Sequence, residues 1–176
     1  MTRPDAALSA RSRIAKWLCL WFGVGLLRPA PGTWGSAAAV LLGLGLHRIG
    51  HFPLLAAATI AVTAAGFWAV RVHTAGLSDP DRSEIVIDEV AGQWLALCFP
   101  SAGFMLAGLP ASSFPYPGWL AAFALFRLFD IWKPWLVGRA DRRGDAPGVM
   151  LDDLWAGLMA GVTTMILAAI AHMVLL

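Results

Sequence analysis

From Ser36 to Leu175 the chain passes through one apolar stretch after another, joined by short polar or Pro/Gly-rich segments. About 20 apolar residues in a helix cross a bilayer core. Backbone polar groups in lipid have no water to bond, so such stretches must be helical. The stretches are Ser36–Ile49, Phe52–Val70, Ile85–Leu109, Trp119–Val137 and Val149–Leu175. The connections are His47–His51, Val72–Glu84, Pro110–Gly118 and Gly138–Gly148. Ile14–Leu27 is apolar but short, and suits a re-entrant or interfacial helix. Arg28–Gly35, with two prolines and two glycines, reads as a turn.

Composition supports the same solvent. With 59% hydrophobic and 14% charged residues, the chain has too little charge to cover a soluble domain. Nine tryptophans against one tyrosine fit the aromatic belts at membrane interfaces. The expected fold is all-α, a polytopic membrane helix bundle of about five transmembrane helices plus the short N-terminal element. Residues 1–176 form a single domain, with 1–13 a basic cytoplasmic arm. A net charge of +2 gives no argument for nucleic acid, and no obligate protein partner is inferred. Cys19 and Cys98 lie in apolar runs and read as small buried hydrophobes. The basic N-terminus before an apolar run has the outline of a secretory signal. No small-x-small cleavage site follows it, and Pro29, Pro31 and Gly32 interrupt the continuation.

Lysine and arginine in short loops set orientation. Arg3, Arg11, Arg13 and Lys16 precede the first stretch, Arg71 and Arg82 flank or occupy Val72–Glu84, and Arg139, Arg142 and Arg143 lie in Gly138–Gly148. Pro110–Gly118 carries no charge, and His47–His51 only Arg48. Five crossings starting inside place the basic segments in the cytoplasm and the C-terminus outside.

That topology gives the acidic residues a shared address. Asp88 and Glu89 begin a helix leaving the cytoplasm, Asp130 ends one returning, and Asp152 and Asp153 begin the next one out. Thr33 and Ser36 sit at the same end of the first span. Ionised groups inside a membrane helix are costly and mark function. Carboxylates and hydroxyls suit a hard divalent cation such as Mg²⁺, and crowded carboxylates repel without a cation or a proton. Arg127, Lys133 and Arg139 would clamp phosphate oxygens. Together these describe phosphoryl chemistry on a lipid head group.

Each feature also has a structural reading. Asp152-Asp153 would favour a helix N-terminus, Asp130 and Lys133 could pair three apart, and Lys133-Pro134 could end a helix. The Pro31–Ser36 stretch could be a capped turn. Gly92, Gly157 and Gly161 suit close helix packing, and the four histidines read as peripheral. A phosphatidyltransferase using a CDP-activated alcohol would carry D-x-x-x-D on one helix face, which is absent. A transporter would place its carboxylates near mid-bilayer on broken helices in related halves, and no internal repeat is present.

Four blocks follow in order: Gly23-Val24-Gly25 leading into Ala30-Pro31-Gly32-Thr33-Trp34-Gly35-Ser36, then Asp88-Glu89-Val90-Ala91-Gly92-Gln93-Trp94, then Phe126-Arg127-Leu128-Phe129-Asp130-Ile131-Trp132-Lys133-Pro134 before Asp141, and last Gly148–Gly157. They give the chain a resemblance to the phosphatidylglycerophosphatase A family of bacterial membrane enzymes. It implies removal of the terminal phosphate of phosphatidylglycerophosphate, Mg²⁺ dependence, a phospholipid substrate held in the bilayer, and a multi-pass place in the bacterial inner membrane with the active site at its cytoplasmic face. Carried onto this chain, the catalytic set is Asp88, Glu89, Asp130, Lys133, Asp152 and Asp153. Asp88, Glu89, Asp152 and Asp153 would hold the metal, with Asp130 orienting a water or Lys133. Thr33, Ser36, Arg127, Lys133 and Arg139 would bind the phosphate.

Overall fold

The structure, a computed structural model, describes residues 10–77 and 80–175; residues 1–9 of the basic arm, 78–79 of the Val72–Glu84 connection and Leu176 lie outside the described residues. Among the described residues there is no strand. The elements are α1 (Ala10–Cys19), a 3₁₀ segment (Trp21–Leu26), α2 (Pro31–His73), α3 (Ile87–Leu106), α4 (Tyr116–Trp132), α5 (Leu136–Asp141) and α6 (Ala146–Leu175).

Helix α2 is two legs. At Gly50 and His51 the backbone leaves helical geometry, His51 taking φ +58°, and Pro53 follows without an N–H to continue the ladder. The contacts with α3 show that the chain reverses there. In the first leg, 31–49, Gly35 meets Val86 and Gly43 meets Leu97, while His47 Nδ1 lies 2.7 Å from Ser101 Oγ: this leg runs parallel to α3. In the second leg, 52–73, Thr59 meets Cys98 and Gly66 faces Ile87, so it runs antiparallel. By the same test α4 is antiparallel to α3, since Gly118 meets Phe104 and Phe126 meets Gly92. Helix α6 is parallel to it, with Gly157 against Gly92 and Gly161 against Phe99. Five helical legs thus alternate in direction around α3, whose buried side chains Val90, Ala91, Trp94 and Leu97 form the centre of the core.

Several boundaries differ from the sequence expectation. Arg28–Gly35 is not a turn throughout: the helix starts at Pro31, where proline's fixed φ and missing N–H suit a first helical turn. Ile14–Leu27 divides into α1 and the 3₁₀ segment, neither of them long enough to cross a membrane. The Trp119–Val137 stretch divides as well. Lys133 takes left-handed geometry (φ +50°) before Pro134, ending α4, and Val137 belongs to α5; a residue preceding proline is disfavoured in a helix. At the other end, Asp145 Oδ1 accepts the Gly148 N–H at 2.8 Å and caps α6. Among the described residues two helices, Pro31–His73 and Ala146–Val174, have the length and apolar character to cross a membrane.

His47 is not peripheral. It is fully buried at the reversal, stacked on Phe114 with ring centroids 4.4 Å apart.

Candidate active site

The start of α3 is held from three directions. The Val86 N–H donates to the Cys19 carbonyl at 2.8 Å, tying α1 to it. Gly25 of the 3₁₀ segment lies against the Glu84 carbonyl, and Gly35 against the Val86 side chain. Neither position leaves room for a side chain, which accounts for glycine there. Burial, and then the nearby Asp88 carboxylate, push the Cys19 thiol up to about 12, so it is an inert packing group.

From that anchored start, Asp88 and Glu89 meet Asp153 of α6, and ligand oxygens of the three lie within 4.8 Å of one another. Asp88 and Asp153 are buried and Glu89 half-buried. The closeness comes from glycine one turn along each helix: Gly92 packs on the Asp153 carbonyl and Gly157 on the Gly92 carbonyl. Two backbones in contact bring the residues four before each glycine together. The acid pairs share a local form, for the Glu89 N–H donates to Asp88 Oδ1 and the Asp153 N–H to Asp152 Oδ1, both at 3.0 Å.

Around the cluster the cations are tethered. Arg127 Nη1 sits 2.6 Å from Asp130 Oδ2 and 3.4 Å from Ser36 Oγ. Ser36 in turn donates to the Gly32 carbonyl at 2.8 Å. A side chain at Gly32 would overlap Glu89 and crowd Arg127, so glycine there leaves room for the Glu89 carboxylate. Asp130 is also a neighbour of Asp153. Lys133, just past α4, donates to Asp141 and, at 3.1 Å, to Asp152. Burial would lower its pKa, but the bonds to Asp141 and Asp152 outweigh that and hold the ammonium charged above its ordinary range.

The expected residues are thus sorted. Asp88, Glu89, Asp130, Asp153, Arg127 and Ser36 converge. Asp152 faces Lys133, and Asp130 partners Arg127 rather than Lys133. Thr33 is exposed, and its side chain meets none of the site residues. Arg139 is exposed on α5 and lines a separate groove with Arg143, Leu151 and Trp155. Two residues of the site went unassigned from sequence. Asp141 holds Lys133, and Gln93, four residues after Glu89, is fully buried with neither amide atom partnered. A glutamine inside the apolar run Val90–Leu97 was the available signal for the second.

The donor set fits a hard cation. Glu89 Oε2, Asp153 Oδ1 and the Gln93 amide are buried without protein partners among the described residues. Buried polar oxygens left unpaired are rare and costly, and carboxylate oxygens this close are what Mg²⁺ takes.

The sequence profile of the phosphatidylglycerophosphatase A family matches residues 17–168. The chain is 35% identical over 144 residues to the Haemophilus influenzae protein named phosphatidylglycerophosphatase A, covering 81% of this chain and 82% of that one. It is 30% identical over 160 residues to the Escherichia coli K12 protein of the same name, covering 89% and 86%. A Bacteroides thetaiotaomicron protein, provisionally named a phosphatidylinositol-3-phosphatase, is 35% identical over 159 residues, covering 88% and 91%. No solved structure matches. With the profile spanning most of its length and the acid and arginine blocks gathered in one place, the chain belongs to the phosphatidylglycerophosphatase A family.

Proposed function

We propose that this protein removes the terminal phosphate of phosphatidylglycerophosphate to give phosphatidylglycerol, using Mg²⁺, at the cytoplasmic face of a bacterial inner membrane. The observation that carries the reading is the meeting of Asp88, Glu89 and Asp153 beside the Arg127 guanidinium and the Lys133 ammonium at one end of the helices. The names of two relatives supply the substrate. The five alternating legs are read as five membrane crossings, the acid end facing the cytoplasm because the basic segments gather there. On this reading α1 and the 3₁₀ segment lie at the interface.

Asp88, Glu89 and Asp153 would hold the metal, with Asp152 beside them. When bound, Mg²⁺ would neutralise the crowded carboxylates and polarise a phosphoryl oxygen. Arg127, aimed by Asp130 and Ser36, offers a planar fork to the non-bridging oxygens, where it opposes charge developing in the transition state. Lys133 brings a second positive charge, fixed by Asp141 and Asp152. The buried positions of Asp88 and Asp153 limit the access of water to the cluster. Attack by water and attack by a carboxylate through an acyl-phosphate are both compatible with this array, and rapid quench with a trap for phosphorylated aspartate separates them.

The direct test is phosphate release by the purified protein from phosphatidylglycerophosphate, phosphatidic acid and phosphatidylinositol 3-phosphate, with Mg²⁺ and with chelator. Fastest release from phosphatidylglycerophosphate is expected. Preference for phosphatidylinositol 3-phosphate would move the assignment to that head group, and no release from any of the three would sink it.

A further inference from the structure

A second basic feature lies outside the acid cluster. The end of the second α2 leg, the start of α6 and α1 enclose a groove of about 930 Å³, lined by Phe67, Trp68 and Val72 with Arg11, Arg71 and Pro147. It shares no residue with Asp88, Glu89 and Asp153. Because Gly66 already faces Ile87 and Met150, residues 67–75 continue past the core to the same end of the bundle as the acids. Arg11 and Arg71 are both exposed, and among the described residues neither has an ion-pair or hydrogen-bond partner. Three other arginines at this end are tied: Arg82 to Glu84, Arg127 to Asp130 and Arg143 to Asp145.

We infer that this groove seats an anionic phospholipid distinct from the substrate, its phosphodiester between Arg11 and Arg71 and an acyl chain along Phe67, Trp68 and Val72. Three features on the molecule select that occupant. Two unpaired guanidiniums match a phosphate through paired N–H donors. Basic pockets between helices on the cytoplasmic side are where anionic head groups bind. The wall beside the arginines is aromatic and aliphatic, as acyl chains require, and the volume lies within the range of small-molecule sites. The lipid would join α1 to the end of α2, and α1 in turn holds the start of α3 through Cys19 and Val86.

The test is native mass spectrometry of the full-length protein in detergent, titrated with phosphatidylglycerol or phosphatidylcholine. Phosphatidylglycerol should be retained in preference to phosphatidylcholine. The Arg11→Gln/Arg71→Gln variant should weaken that retention roughly 30-fold, about five-fold per arginine, while Arg11→Lys/Arg71→Lys keeps part of it, the charge without the paired donors. Arg127→Gln, which changes only the other site, should still retain phosphatidylglycerol in preference to phosphatidylcholine. A photoreactive phosphatidylglycerol should cross-link to wild-type peptides containing Phe67 and Trp68, a readout needing no variant. Equal retention of phosphatidylcholine, unchanged binding by the double glutamine variant, loss of the preference for phosphatidylglycerol in Arg127→Gln, or cross-links elsewhere would each overturn the inference.

Discussion

Gly157 of α6 lies against the backbone carbonyl of Gly92 in α3, with no space for a side chain at either position. This contact is what makes the site. Asp153 and Asp88 stand one turn before these glycines, so the distance between the two helices sets the distance between their carboxylates.

Gly92→Ala should therefore damage catalysis without touching a reacting group. Its methyl would strike the Asp153 carbonyl and the Phe126 ring. Overpacking of this kind costs roughly 1–3 kcal/mol. Thermal unfolding in detergent and phosphate release should both fall, whereas Gly45→Ala, with open space around it, should match wild type. A fully active Gly92→Ala protein would show that helix spacing is not what builds the cluster.

Removing the Arg127 fork should cost more than removing its tether. Arg127→Gln is expected to lower kcat/KM by ~10²-fold or more, the scale of losing a transition-state donor. Arg127→Lys should recover only part, because a point charge lacks the planar pair of donors. Asp130→Asn should fall between wild type and Arg127→Gln. Equal activity of Arg127→Gln and wild type would remove Arg127 from the site.

Metal dependence can be read apart from turnover. Mn²⁺ bound to the wild-type protein, followed by electron paramagnetic resonance, should be displaced by Mg²⁺. Glu89→Gln and Asp153→Asn should weaken binding by about tenfold or more, each removing one charged oxygen donor. Chelation should stop phosphate release, and added Mg²⁺ should restore it. Undiminished Mn²⁺ binding in both variants would place the metal elsewhere.

Lys133 gives the pH expectation. Its pKa is raised in the fold, so the pairing with Asp141 and Asp152 is fully present below the ordinary lysine range and is lost only as pH climbs past the raised value. Alkaline titration of the wild type should then show no loss of phosphate affinity from this group in the ordinary lysine range. Lys133→Met should raise KM at all pH values, and Asp141→Asn should raise it less. An unchanged KM in Lys133→Met would exclude the ammonium from phosphate binding.

Topology is checked by reporter fusions. A periplasm-active reporter joined after Leu176 should be active and one in the Gly138–Gly148 connection silent. The reverse pattern would invert the membrane orientation.

Much of this is legible in the amino-acid sequence. Repeated apolar stretches meant helices, and the alternating charge of the connections brought Asp88, Glu89, Asp130, Asp152 and Asp153 to one end. Thr33 and Ser36 show the limit. Both lie in one short motif, but once the helix starts at Pro31 the 3.6-residue period puts Gly32 and Ser36 on one face and turns Thr33 away. Arg139 shows it again: the stop at Lys133-Pro134 places it on a separate short helix, where it is exposed beside Arg143 instead of meeting Arg127. His47, between apolar neighbours, gave no sign that Ser101 and Phe114 would enclose it.

What the sequence by itself determined was the all-helical class, the run of the legs and the end at which the acids gather, because hydropathy and loop charge act along the chain. Which acids meet was decided only by tertiary structure. Helix rotation and spacing depend on which small residues face each other, so the contact of Gly92 with Gly157 brings Asp88, Glu89 and Asp153 together while Asp152, one residue away, turns to Lys133.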